Sequence, residues 1–169
     1  MLGVFLLTSF GLHLAWTHCS GTPLERLVIN TATVRTAVAL INFFTPQVAA
    51  VAVGTHISAD GGGINVLNGC EGTELYIPLL AGLIALPFSM GARVVGIFAG
   101  AAVVFGLNQM RLLALFYSLR ADPVLFGELH GIVTPLVLVA CVLSFFLLLL
   151  RRDALRSGAT LLGAKSQRQ

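Results

Sequence analysis

The chain has 169 residues, 57% of them hydrophobic and only 10% charged, with a formal net charge of +3. Together with a mean hydropathy of +0.93, this composition excludes a water-soluble domain and describes an integral membrane protein. Three cysteines, Cys19, Cys70 and Cys141, do not make a disulfide scaffold.

Residues 1–16 form the first apolar run. No Lys or Arg precedes it, unlike a signal peptide, so residues 1–19 are read as a retained transmembrane helix. Residues 20–68 are too long for a simple connection and should carry structure of their own. Thr22-Pro23-Leu24-Glu25 has the form of a capping box with proline at the first helical position. Leu24, Leu27, Val28, Thr31, Val34, Val38 and Ile41 then recur at three- and four-residue spacing, opposite Arg26, Asn30, Thr33 and Ala37. This predicts an amphipathic helix lying in the outer interface and ending near Pro46. Residues 47–53 and 64–67 are expected to form a short strand pair around the Gly61-Gly62-Gly63 turn.

Residues 69–152 hold three further apolar runs: 75–88, which reaches spanning length only if helix begins near Cys70; 92–107, continuing to 119; and 132–150. Residues 153–169 are a basic tail. The expected fold is an all-α integral membrane protein in a single membrane domain. It has about four transmembrane helices, the interfacial amphipathic helix and a short external β-like segment.

Charge gives the orientation. Arg93, in the link between the second and third helices, and Arg151, Arg152, Arg156, Lys165 and Arg168 after the fourth put these segments and both termini in the cytoplasm. Glu25, Asp60, Glu71, Glu74, Asp122 and Glu128 fall on the other side. The positive balance thus follows topology and implies no nucleic-acid partner. Counting outward, Cys70 lies 19 residues from Ser89, Arg111 18 from Arg93, and His130 21 from Arg151. At about 1.5 Å per residue these separations rise roughly 28, 27 and 31 Å, close to the ~30 Å hydrocarbon core. The three residues therefore arrive at one outer level, on helices that short links make neighbours.

Their chemistry is complementary. Acyl transfer needs a nucleophile, a proton carrier and a positive group at the developing oxyanion, roles open to Cys70, His130 and Arg111 respectively. Helix N–H groups and the positive dipole end favour a thiolate at Cys70. Asn108, one turn before Arg111, is placed to orient the guanidinium or hold a substrate carbonyl. Glu71 and Glu74 complement the helix N-terminus, although a carboxylate beside the thiol opposes its ionisation, which Arg111 must outweigh. Glu128 is the next candidate acid–base group after His130. The plainer readings are a snorkelling anchor for Arg111, an apolar filler for Cys141, a Cys19–Cys70 disulfide, and interfacial polar residues for His13 and His18 beside Trp16.

Asn68-Gly69-Cys70-Glu71-Gly72, then Leu107-Asn108-Gln109-Met110-Arg111, then Glu128-Leu129-His130 resemble the exosortase/archaeosortase family of membrane cysteine transpeptidases in the pattern Cys-x-Gly, Asn-x-x-Arg, His. The resemblance covers about residues 63–152, and the short chain looks like the compact exosortases of the H type. It implies an enzyme that cleaves and sorts exported proteins bearing a C-terminal motif, a transmembrane helix and a basic cluster. The route would be an acyl-enzyme on Cys70, resolved by an unknown acceptor nucleophile, with Arg111 and His130 at the family's Arg and His positions. It further implies a bacterial inner membrane protein whose active site faces the periplasm or exterior. Glu71 stands where many relatives have a small or amide residue. No metal or nucleotide motif is present, so no cofactor is expected. The alternatives are an intramembrane cysteine protease that uses water as acceptor, and a non-enzymatic subunit. The subunit would bind haem, quinone or a partner helix through His13, His18 and the small-residue faces at Gly96 and Gly100.

Overall fold

A computed structural model describes residues 1–66 and 69–166, the last ten as backbone. Leu67, Asn68 and Arg168, and the side chain of Lys165, lie outside the described residues. Helix α1 is Leu2–His18. Helix α2, Pro23–Phe44, is followed by a 3₁₀ turn, Pro46–Val48, and by strands β1 Val51–Val53, β2 His56–Ser58 and β3 Ile64–Asn65. Then come α3, Thr73–Ala85, α4, Met90–Ala121, and α5, which starts at Pro123 and continues through Thr134–Ser166.

The fold is mostly helical. Among the described residues, three helices are long and apolar enough to cross a membrane: Pro23–Phe44, Met90–Ala121 and Pro123–Arg156. This is a membrane protein with a small three-stranded sheet, built around somewhat different helices from those expected. The run after Cys70 does not become helical at the thiol. Gly69 and Gly72 take positive φ, +97° and +93°, and helix starts only at Thr73 and ends at Ala85 ahead of Pro87. Its 13 residues rise about 20 Å, less than the ~30 Å of a hydrocarbon core.

Helix α2 starts as the sequence requires, with Thr22 Oγ1 accepting from Glu25 N. Its buried face is nevertheless Ile29, Thr33, Val34, Ala37 and Ile41, while Leu24 and Leu27 are exposed. The reason is a π-helical stretch, Leu27–Arg35. One extra residue per turn rotates the face, which carries Thr33 and Ala37 inward from the expected polar side. The Thr33 hydroxyl donates to Val28 O, five residues back, at 2.8 Å, satisfying itself inside the wider turn. Thr134 repeats the device on Leu129 O at 2.8 Å, beside the second π turn, Leu129–Val133.

The segment between α2 and α3 has a strand more than expected. β2 pairs antiparallel with both β1 and β3, so the Gly61-Gly62-Gly63 turn joins β2 to β3 and a second turn at Gly54 joins β1 to β2. Gly63 is obligatory, since a Cβ there would lie 2.3 Å from Ile57 O. Ile57, Ile64 and Val66 from this segment, Ile29, Val34 and Ile41 from α2, and Leu112 and Phe116 from α4 form one core. A second, among α3, α4 and α5, contains Leu79, Leu83, Val104 and Val142. Within a bilayer this packing rests on close contact: a Cβ at Gly96 would lie 2.7 Å from Leu83 and Leu149, and one at Gly100 2.6 Å from Leu79.

Both links joining α3, α4 and α5 differ from those expected. Ser89 caps α4 through Ala92 N, so Arg93 belongs to the first turn of α4. Its guanidinium donates to Leu83 O and Leu86 O at the end of α3. Asp122 alone separates α4 from α5 and caps the latter through Val124 N, with Pro123 next. His130 therefore lies about two turns inside α5 and does not open it.

Candidate active site

The Gly69–Gly72 turn fixes Cys70 from its backbone. Glu71 is only 6% exposed, and its carboxylate accepts from Gly69 N at 2.5 Å, Thr73 Oγ1 at 2.5 Å and Trp16 Nε1 at 3.1 Å. Glu71 is thus the clamp of the turn, engaging its own loop, the first residue of α3 and the outer end of α1. On the opposite side, Asn108 Nδ2 donates to Cys70 O at 2.9 Å. Gly72 leaves room for α4, because a Cβ there would lie 3.2 Å from Val104 and 3.4 Å from Asn108 Cβ. The Cys-x-Gly spacing has a steric cause: the second glycine lets the turn lie flat on α4.

Cys70 is half-buried and packs against the outer core. It lines a cavity of about 330 Å³ with Ile64, Leu112, Leu119, Phe126 and His130. His130 comes from the π turn of α5, and such turns often mark functional positions. Its ring stacks on Phe126, one helical turn earlier, with centroids 5.5 Å apart and planes at 4°. The structure thus brings Cys70 and His130 from different elements to one cavity. None of the three cysteines is in a disulfide, and Cys141 sits mid-helix in α5.

Arg111 lines a neighbouring cavity of about 290 Å³ with Gly69, Gly72, Glu74, Pro135 and Leu138. The Gly69–Gly72 turn stands between the two, with Cys70 on one cavity and its flanking glycines on the other. Arg111 Nε and Asn108 Oδ1 are buried with no hydrogen-bond partner among the described residues, and so is Gln109 Oε1. The three side chains face different neighbours: Asn108 the Cys70 turn, Gln109 Thr33 of α2, and Arg111 the second cavity. Glu128 is exposed and lines neither cavity. Sequence reading missed Trp16 and Phe126. The second had a visible signal, the i, i+4 spacing to His130; the first had none, because 55 residues separate Trp16 from Glu71.

Among the described residues no group of His, Cys, Asp and Glu is arranged to hold a metal ion. Comparison of the chain with protein-family models, with curated proteins and with solved structures returns no match.

Proposed function

We propose that this chain is a membrane-embedded cysteine transpeptidase that cleaves and sorts exported proteins bearing a C-terminal motif, transmembrane helix and basic cluster. The observation that carries the reading is the shared cavity of Cys70 and His130, together with the two-sided hold on the Cys70 turn by Glu71 and Asn108. In the forward step Cys70 Sγ attacks the scissile carbonyl, the C–S bond forms and the C–N bond breaks, with His130 giving a proton to the departing amine. An acceptor nucleophile, losing its proton to His130, then attacks the thioester and releases the Cys70 thiolate. Arg111 supplies positive charge beside the turn, favouring both thiolate and oxyanion.

The enzyme is read as a bacterial inner membrane protein with α1, α3, α4 and α5 crossing the bilayer and the site on the outer face. Helix α2 stays in the outer interface. Its side-chain hydrogen bonds with α4 run from Gln109, which donates to Thr33 O, to Tyr117, bonded to Thr45. Those eight steps along α4 rise about 12 Å, less than half the core.

The test is to follow an exported protein with such a C-terminal signal in cells carrying the wild-type chain or Cys70→Ala. Loss of the tail with a new covalent linkage, abolished by Cys70→Ala, supports transfer. A free carboxylate supports the protease alternative, and an intact tail in both strains overturns the enzymatic reading.

A further inference from the structure

A second cleft runs down the seam between α3 and α5, away from the Cys70 cavity. Its outer part is the Arg111 cavity, lined also by Glu74, Leu75 and Val139. Leu75 and Val139 also line an apolar cavity of about 270 Å³ that continues inward to Pro78, Gly82, Val142 and Phe146. The two adjoin at Leu75 and Val139, a charged head beside an apolar body that Phe5 of α1 also lines. Phe146 packs directly on Gly82 at the inner end, where a Cβ would lie 3.0 Å from the ring. From Pro135 to Phe146 is 11 residues of α5, about 16 Å, close to one leaflet of a ~30 Å core.

We infer that this cleft is a binding site for one zwitterionic phospholipid, its phosphate at Arg111, its ammonium at Glu74 and one acyl chain along Leu79, Val142 and Phe146. Charge selects the head group. Arg111 alone would favour any anionic lipid, but Glu74, exposed in the first turn of α3, repels a second negative charge and attracts an ammonium. Volume favours the tail: a helix about 10–12 Å across displaces roughly 1,000 Å³ or more over that length, so a polypeptide helix could only lie across the mouth of the apolar body, whereas a single acyl chain can enter it. Any lipid-facing groove fills with hydrocarbon; the paired charges make this one selective. The inference shares Arg111 with the proposed function and would place a phosphate on the charge that reading uses, but its readout is lipid binding, so the two readings fail separately.

The experiment is native mass spectrometry of the full chain, purified in detergent, delipidated and exposed to equal amounts of dioleoyl phosphatidylethanolamine and dioleoyl phosphatidylglycerol. The expected result is a single lipid adduct favouring the ethanolamine lipid. Val139→Trp, which fills the junction of the two cavities, should reduce the adduct about tenfold, a change of ~1.4 kcal/mol. Glu74→Gln should lower the ethanolamine-to-glycerol ratio by roughly two- to fivefold, the range of an exposed ion pair. If Val139→Trp does not elute as folded protein, Val142→Phe takes its place. No adduct, an undiminished adduct in the folded cleft variant, or a ratio unmoved by Glu74→Gln overturns the site. So does a photocrosslinker at Leu143 that captures polypeptide in place of lipid.

Discussion

Removing the Glu71 carboxylate should loosen the molecule and the nucleophile together. Three donors converge on it, Gly69 N, Thr73 Oγ1 and Trp16 Nε1, at 2.5, 2.5 and 3.1 Å, and hydrogen bonds to a charged group contribute about 1.5–3 kcal/mol each. At the lower end the three together give about 4–5 kcal/mol. Burying the carboxylate works against this, and its removal recovers a kcal/mol or two. Glu71→Ala should therefore lose about 3 kcal/mol, a large fraction of the ~5–15 kcal/mol typical of a folded chain. Trp16→Phe, which deletes one donor and keeps a smaller aromatic ring in its place, should lose about 1.5 kcal/mol or somewhat more. In the double mutant most of the Trp16 effect should vanish, because its acceptor has already gone. The assay is equilibrium unfolding in mixed micelles followed by circular dichroism, with the rate of Cys70 alkylation measured under native conditions. Glu71→Ala should alkylate faster or less uniformly as the turn loses its anchor. Additive effects of the two substitutions, or a Glu71→Ala protein within 1 kcal/mol of wild type, would refute the clamp and return Glu71 to the simpler role of a helix-dipole partner.

Cys70 should react with a membrane-impermeant thiol reagent added outside intact cells while Cys141, mid-helix in α5, does not; labelling of Cys70 only after the inner face is opened would reverse the orientation. Arg111→Lys should cut processing severely, because a lysine ammonium lacks the planar fork of donors; near-normal processing by a correctly inserted Lys variant would leave Arg111 as a snorkelling anchor. His130→Gln should keep the fold and Cys70 accessibility but slow acyl transfer roughly a hundredfold or more, and should remove the near-neutral step in the pH–rate profile that a histidine proton carrier imposes. A normal rate with an unchanged profile would take His130 out of the mechanism and make Glu128 the next residue to test.

What the sequence made legible was set by local rules and by length. Thr22 and Pro23 opened α2 as their chemistry demands, and the counts from Arg93 and Arg151 ran along helices that do extend through Arg111 and His130. The expected start of helix at Cys70 failed because two glycines at positive φ hold an extended turn there, and hydropathy does not register that conformation. The buried stripe of α2 was misassigned at Thr33 and Ala37 because a 3.6-residue period was imposed on a π-helical stretch. Strand β2 went unseen since His56-Ile57-Ser58 carries a single apolar residue, which burial in the outer core makes decisive. Of the site, the sequence offered the residue types and a count along the helices; the cavity that joins Cys70 to His130 and leaves Arg111 behind the turn depends on packing.

The hydrogen bond from Trp16 to Glu71 gives the molecule a built-in optical reporter. Trp16 is the only tryptophan of the chain, and its indole N–H rests on the carboxylate that also holds Gly69 and Thr73. Emission from unlabelled protein thus originates at one place, the junction of α1 with the cysteine turn. A shift in that turn on occupation of the Cys70 cavity changes the polarity and hydrogen bonding of a single chromophore, so its colour and lifetime can be followed in real time without a probe.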